Sequence, residues 1–146
     1  MLPKRTLQQL IDIARSRSDT AARALGATHS REREEHGKLD LLVHYREECL
    51  ARFGQAAREG IDREIWLNYQ QFVVKLDAAI TQQRELLAQQ QLKVEQCRSE
   101  WRAANIKLRS FDTLEQRRQQ AESVAGRRRE QRQQNEFALR KPRSTG

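Results

Sequence analysis

Three histidines, two cysteines and a cluster of arginines are the side chains here with the chemistry for metal binding, nucleophilic attack or anion recognition. His29 and His36 stand seven residues apart, which is ~10 Å along a helix and too far to share one zinc ion. With His44 they read as solvated helix residues. Cys49 and Cys97 have no Cys-x-x-Cys pairing, and the sequence holds neither a Gly-rich phosphate loop nor a G-x-S-x-G elbow. An enzyme is therefore not expected, and neither is a cofactor, a metal centre or a small-molecule substrate. The arginines gather at Arg117, Arg118 and Arg127-Arg128-Arg129, interleaved with Glu and Gln. Nucleic acid is a poor match for them, because Phe137 is the one base-stacking aromatic in the segment and no parallel zipper follows the basic run. A solvated face, or a protein partner with acidic rims, suits the alternation of Arg and Glu better.

The elements that would carry these side chains follow from hydrophobic spacing. Alternate steps of three and four from Trp66 visit Tyr69, Val73, Leu76, Ile80, Gln83, Leu87, Gln90, Val94, Cys97, Trp101, Ala104, Leu108 and Phe111. Twelve of these fourteen positions are apolar, with no Pro or Gly between them. A 3.5-residue spacing sustained over six heptads marks a coiled-coil helix. Gln83 and Gln90 interrupt it, and a polar residue in a seam lowers stability while fixing register or partner number. A matching series runs from Leu7 through Ile11, Ala14, Ser18, Ala21, Leu25, Thr28, Glu32, Glu35, Leu39, Leu42, Arg46 and Cys49 to Phe53. Its polar middle is bracketed by Gly26 and Gly37, so a continuous helix with a loosened or curved middle is expected.

Between the two series, Gly60 is a natural residue to end one helix and Asp62 a natural cap for the next. Folding there pairs residues whose numbers sum to about 119, as in Leu25 with Val94 and Phe53 with Trp66. The expected fold is all-α: a long antiparallel two-helix coiled-coil hairpin whose second helix is the longer. It forms one domain over 1–146, with helix 1 about 6–58, opened by a Thr6–Gln9 capping box, then a turn about 59–62, helix 2 about 63–140 and a tail 141–146. In that arrangement Cys49 and Cys97 are small seam residues too far apart for a disulfide.

Composition agrees with a coiled coil. A third of the 146 residues are charged and 37% are hydrophobic, too few for a globular core. No apolar run approaches the ~20 residues of a membrane span, and the basic start lacks the apolar stretch of a secretory signal, so a cytoplasmic location is expected. The net charge of +8 is unevenly spread. From Asp112 onward nine Lys/Arg face five Asp/Glu, a local +4, and Met1 to Arg23 adds five against two, a local +3. A hairpin brings both segments to one basic end. Near the turn, Ile65, Phe72, Ala79 and Leu86 widen the apolar arc beside the seam, with Leu41, Leu42, Val43 and Tyr45 opposite. Two helices bury only a narrow stripe each, so part of this arc is expected to be exposed as an interaction surface.

The run Trp66-Leu-Asn-Tyr-Gln-Gln-Phe-Val-Val-Lys-Leu-Asp-Ala-Ala-Ile80 resembles the flagellar FliJ family, as do Asp19-Thr-Ala-Ala-Arg-Ala-Leu-Gly26, Trp101, the length and the hairpin layout. The resemblance covers nearly the whole chain. It implies a component of the flagellar type III export apparatus, cytoplasmic and peripheral to the inner membrane at the flagellar base. Such a protein resembles the stalk subunit of rotary ATP synthases, promotes ring assembly of the hexameric export ATPase FliI, contacts the cytoplasmic part of the export gate protein FlhA, and escorts export chaperones. Residues matching the family's gate-contact face are Leu42, Tyr45, Phe72, Leu76 and Ala79, whereas Lys38, Cys49 and Gln83 depart from its pattern. The basic end, with Arg117, Arg118, Arg127, Arg128 and Arg129, is the expected ATPase contact. The readings from other classes are a basic nucleic-acid-binding coiled coil and a purely structural spacer.

Overall fold

A computed structural model describes residues 3–140 of the chain; the expected tail at 141–146 lies outside them. Two helices account for almost all of it: α1 (Lys4–Glu59) and the longer α2 (Arg63–Arg140). The fold is the all-α, antiparallel two-helix coiled-coil hairpin anticipated from the spacing. Helix α1 opens with the Leu7 amide donating to the Pro3 carbonyl at 3.0 Å. Thr6 thus lies inside the first turn, two residues beyond the start of the helix, and the capping-box reading of Thr6–Gln9 does not describe this end. Proline is well suited there, since its missing N–H would have no intrahelical acceptor.

The turn is short. Gly60 has φ of +89° and its amide donates to the Ala57 carbonyl at 3.4 Å, closing α1 with a left-handed residue that a side chain would strain. The Trp66 amide then donates to the Asp62 carbonyl at 3.1 Å, which sets Asp62 at the cap position of α2.

The chain divides into two compact units. One comprises Asp19–Arg102; the other joins Met1–Ser18 to Ala103–Gly146. In the Asp19–Arg102 unit the buried seam is Leu76, Ile80, Gln83, Leu87, Gln90 and Val94 of α2, against half-buried Ala21, Leu25, Thr28, Glu32, Glu35, Leu39 and Leu42 of α1. In the other unit Leu7, Ile11, Ala14 and Ser18 are buried, facing half-buried Ala104, Leu108 and Phe111. All fourteen α1 seam positions are buried or half-buried, and so are all those of α2 except Trp66, which is exposed. Trp66 is in the first turn of α2, where Phe53 covers one side of it (ring centroids 4.8 Å apart) and solvent the other. Phe53 lies flat on Tyr69 instead, at 3.5 Å and 5° between planes.

The polar layers are satisfied across the helices. Gln83 donates through Nε2 to the Glu35 carbonyl at 3.0 Å and to the Glu35 carboxylate, and Gln90 donates to the Thr28 carbonyl at 3.2 Å. Thr28 Oγ1 lies 3.5 Å from Cys97 Sγ. Helix α1 runs unbroken through this polar middle, where Thr28 and Ser30 return their hydroxyls to the Ala24 and Gly26 carbonyls. Such back-bonding satisfies both hydroxyls within the helix.

Burial within the seam should dominate stability. Replacing Ile80, which is 5% exposed, by Ala removes apolar contacts from both helices and should cost about 2–5 kcal/mol in chemical denaturation. The same truncation at Val74, 68% exposed on the far side of α2, should change stability by less than ~0.5 kcal/mol.

Candidate interaction surfaces

Assigning the seam positions of α2 as a (Trp66, Val73, Ile80, Leu87) and d (Tyr69, Leu76, Gln83, Gln90) puts Ile65, Phe72, Ala79 and Leu86 at the flanking g position. On α1 the equivalent g residues are Lys38, Tyr45 and Arg52. In an antiparallel pair the g residues of the two helices meet along one side and the e residues along the other. Tyr45 and Phe72 accordingly touch edge to face, with centroids 6.1 Å apart and planes at 85°. Each still leaves much of its ring in solvent, 48% for Tyr45 and 40% for Phe72. Ile65, Leu86 and, on the outer edge of α1, Leu41 are exposed beside them.

The five residues matched to the gate-contact face therefore do not stand alike. Tyr45 and Phe72 form an exposed aromatic pair. Leu42 and Ala79 are half-buried beneath it, and Leu76, 7% exposed, belongs to the core. Leu76 can support the surface but has little area to offer a partner. The neighbouring Cys49 thiol is the main cause pushing the Tyr45 phenol above its ordinary value. On the opposite, e side of the pair, Arg46 donates a charge-assisted hydrogen bond to Asp77, and that bond raises the guanidinium's already high pKa further.

The second surface lies in the other unit. From residue 119 to 140 every residue but Gly126 is exposed. Arg117, Arg128, Arg129 and Arg132 stand around a shallow apolar floor of Ala121, Val124 and Ala125. Arg118, grouped with the other arginines by sequence, sits differently. Its side chain is only 14% exposed and is held in a fork by Glu115, at 3.1 and 2.9 Å, with Glu122 at 2.8 Å. Hydrogen bonds from Arg118 hold the Glu115 carboxyl below its ordinary value, against a partial burial that acts the other way, and Lys4 adds a smaller attraction. Glu115 and Arg118 continue the three-and-four spacing beyond Phe111. The seam thus ends in an ion-pair clasp at the level where α1 begins, and Arg118 is committed to it.

The histidines pair locally along α1. His29 lies 3.4 Å from Glu32, His36 3.1 Å from Asp40 and His44 3.2 Å from Glu48. Among the described residues no group of three or more His, Cys, Asp and Glu converges as a metal site, and no helix is long and apolar enough to cross a membrane. Cys49 and Cys97 are free, half-buried thiols.

Two carboxyls are held below their ordinary value by partners in the fold. Gln83 holds Glu35 below the ordinary value of about 4.5, against partial burial and with help from Lys38, and Arg118 does the same for Glu115. A lowered folded-state pKa contributes stability that is complete above the unfolded value and is lost as pH falls through the folded one. The melting temperature should therefore drop on acidification from about pH 5 to about pH 3. Glu35→Gln and Glu115→Gln should each flatten that acid limb in a thermal melt followed by circular dichroism. Two variants with the parental slope would contradict the assignment.

Compared with known families, residues 3–146 match the model of the flagellar FliJ protein. A flagellar FliJ protein of Escherichia coli (strain K12) is 34% identical over 134 residues, spanning 92% of this chain and 91% of the relative. One of Salmonella typhi is 34% identical over the same length and the same shares.

Proposed function

Because the chain belongs to the flagellar FliJ family, we propose that it is a non-enzymatic adaptor of the flagellar type III export apparatus. It engages the export ATPase FliI through the arginine-rich end of α2 and the cytoplasmic part of the gate protein FlhA through the aromatic face around Phe72. It promotes assembly of the ATPase ring and escorts export chaperones while peripheral to the inner membrane. The observation that carries this reading is the exposed pair Tyr45 and Phe72. Two aromatic rings left half in solvent beside a completed seam stabilise the hairpin little, so their surface is free for a partner. Arg117, Arg127, Arg128 and Arg129 support the ATPase contact: they lie on the exposed end of α2, three of them beside a small apolar floor and Arg127 next to these in sequence, and suit an acidic surface. Arg118 is set apart from them, being paired with Glu115 and Glu122 of its own helix.

Two measurements test it. Phe72→Ala should melt within a few degrees of the parent and lose affinity for the gate protein, whereas a truncation inside the seam should melt far earlier. A Phe72→Ala chain that is stable and binds the gate normally would remove the gate role. Replacing Arg127, Arg128 and Arg129 by Gln should weaken retention of the purified ATPase with helicity unchanged, because exposed charges contribute little to stability. Added salt should weaken the same contact, as screening sets in beyond ~8 Å at physiological ionic strength. Binding indifferent to both changes would contradict a contact through these arginines. Retention of nucleic acid in place of the ATPase would favour a nucleic-acid-binding coiled coil.

A further inference from the structure

Between Gly26 and Gly37, α1 contributes almost nothing apolar to the helix pair. Ala27 is the one apolar side chain of that stretch, and it is exposed. The seam positions are Thr28, Glu32 and Glu35, framed by Leu25 and Leu39. The buried residues of α1, Leu7, Ile11, Ala14 and Ser18, all precede it. What joins the stretch to α2 is polar. Gln83 donates to the Glu35 carbonyl at 3.0 Å and to its carboxylate, and Gln90 to the Thr28 carbonyl at 3.2 Å. Thr28 Oγ1 lies 3.5 Å from Cys97 Sγ, and Arg98 Nη2 lies 3.4 Å from His29 Nε2. Water can replace each of these partners, so their net contribution is small beside that of buried apolar area.

The two glycines have no steric reason for their positions. A Cβ at Gly26 or Gly37 would meet no atom within 4 Å, and neither has a positive φ, unlike Gly60. Alanine would fit both places and would favour the helix, because glycine loses more backbone freedom on folding. Helix α2 is built differently on the facing side. It has no Gly or Pro from Arg63 to Ala125, and Leu86, Leu87, Ala88 and Leu92 are strong helix formers. Leu87, 8% exposed, lies between Gln83 and Gln90 as Glu32 lies between Glu35 and Thr28. We propose that residues 26–37 of α1 form a one-sided opening segment. In a rare excursion they leave α2 and unwind together, while Leu25 and Leu39 stay seated and α2 stays helical. The two anchors are ~21 Å apart as helix, a span that an unwound chain covers easily. The open form uncovers Leu87 and frees the Gln83 and Gln90 amides, a face of α2 that the closed pair conceals. The segment is a property of the hairpin alone, independent of its partners.

Native-state hydrogen exchange of the full chain, resolved by residue, tests it. Amides of 26–37 should share one opening constant and be about tenfold or more less protected than those of 39–52 in α1 and 83–94 in α2. Gly26→Ala combined with Gly37→Ala should raise protection in 26–37 by about tenfold or more. Ile11→Val weakens the pair far from the segment. It should lower the protection of the slowest-exchanging amides by about fivefold and leave that of 26–37 unchanged. If protection in 26–37 falls in step with the slowest amides in Ile11→Val, the stretch opens only when the whole hairpin unfolds, and the proposal is overturned. Residues 83–94 exchanging as fast as 26–37 would mean that both helices unwind, which overturns the one-sided segment. Protection in 26–37 that ignores both glycine substitutions would overturn it as well.

Discussion

Two helices packed on each other can bury only one narrow stripe apiece, and most features of this protein follow from that limit. The a and d residues of α1 and α2 are removed from water; those one step to either side are covered on one flank only. A globular domain would close a third layer over Phe72, Tyr45 and Leu86. With two helices there is none, so apolar side chains at g remain half in solvent however well the seam is packed. The interaction surface is a geometric remainder of the fold, fixed in place by the seam beneath it. Leu76 and Ala79 illustrate the coupling: one is core and the other is floor, three residues apart on the same helix.

A seam of small and aliphatic residues does not by itself choose one register, since each heptad resembles the next. The polar layers supply the choice. Gln83 reaches the Glu35 carbonyl and Gln90 the Thr28 carbonyl, seven residues apart on both helices. A slip by part of a heptad would leave both amides buried and unpaired, at a cost of about 1–3 kcal/mol each. The clasp of Glu115, Arg118 and Glu122 marks the other end of the pairing, where α1 begins. Beyond it α2 goes on with exposed residues on nearly every side, which leaves its arginines available to an acidic partner.

Hydrophobic periodicity makes the helices, their order and nearly all of the seam legible in the sequence. A 3.5-residue repeat held over six heptads matches neither the two-residue period of a strand nor the 3.6-residue period of a straight helix. The turn is legible because Gly60 and Asp62 have distinct backbone roles. Other features need coordinates. Trp66 carries the right spacing but sits in the first turn of α2, where Phe53 covers one side of it and lies flat on Tyr69 instead. Leu76 falls with the gate-matched face by sequence, although its d position points to the core. Arg118 looks like one solvated arginine among five. The signal that separates it is present, since Glu115 and Arg118 keep the step of four and three from Phe111, but charged residues at seam positions are easily taken for the end of the seam. Thr6 matches a capping motif two residues inside a helix that Pro3 has already begun.

The central claim is that one antiparallel register fixes both the core and the exposed g face. Spin labels at Arg31 and Leu86 test it most directly. These two g positions lie two heptads from the Tyr45–Phe72 contact on the same side of the pair, and both are exposed. With helix axes ~8–10 Å apart, the labels should report a single distance distribution centred below ~20 Å. A distribution centred well above that value, or one split by the ~10 Å of a one-heptad slip, would contradict the register and the surface that depends on it.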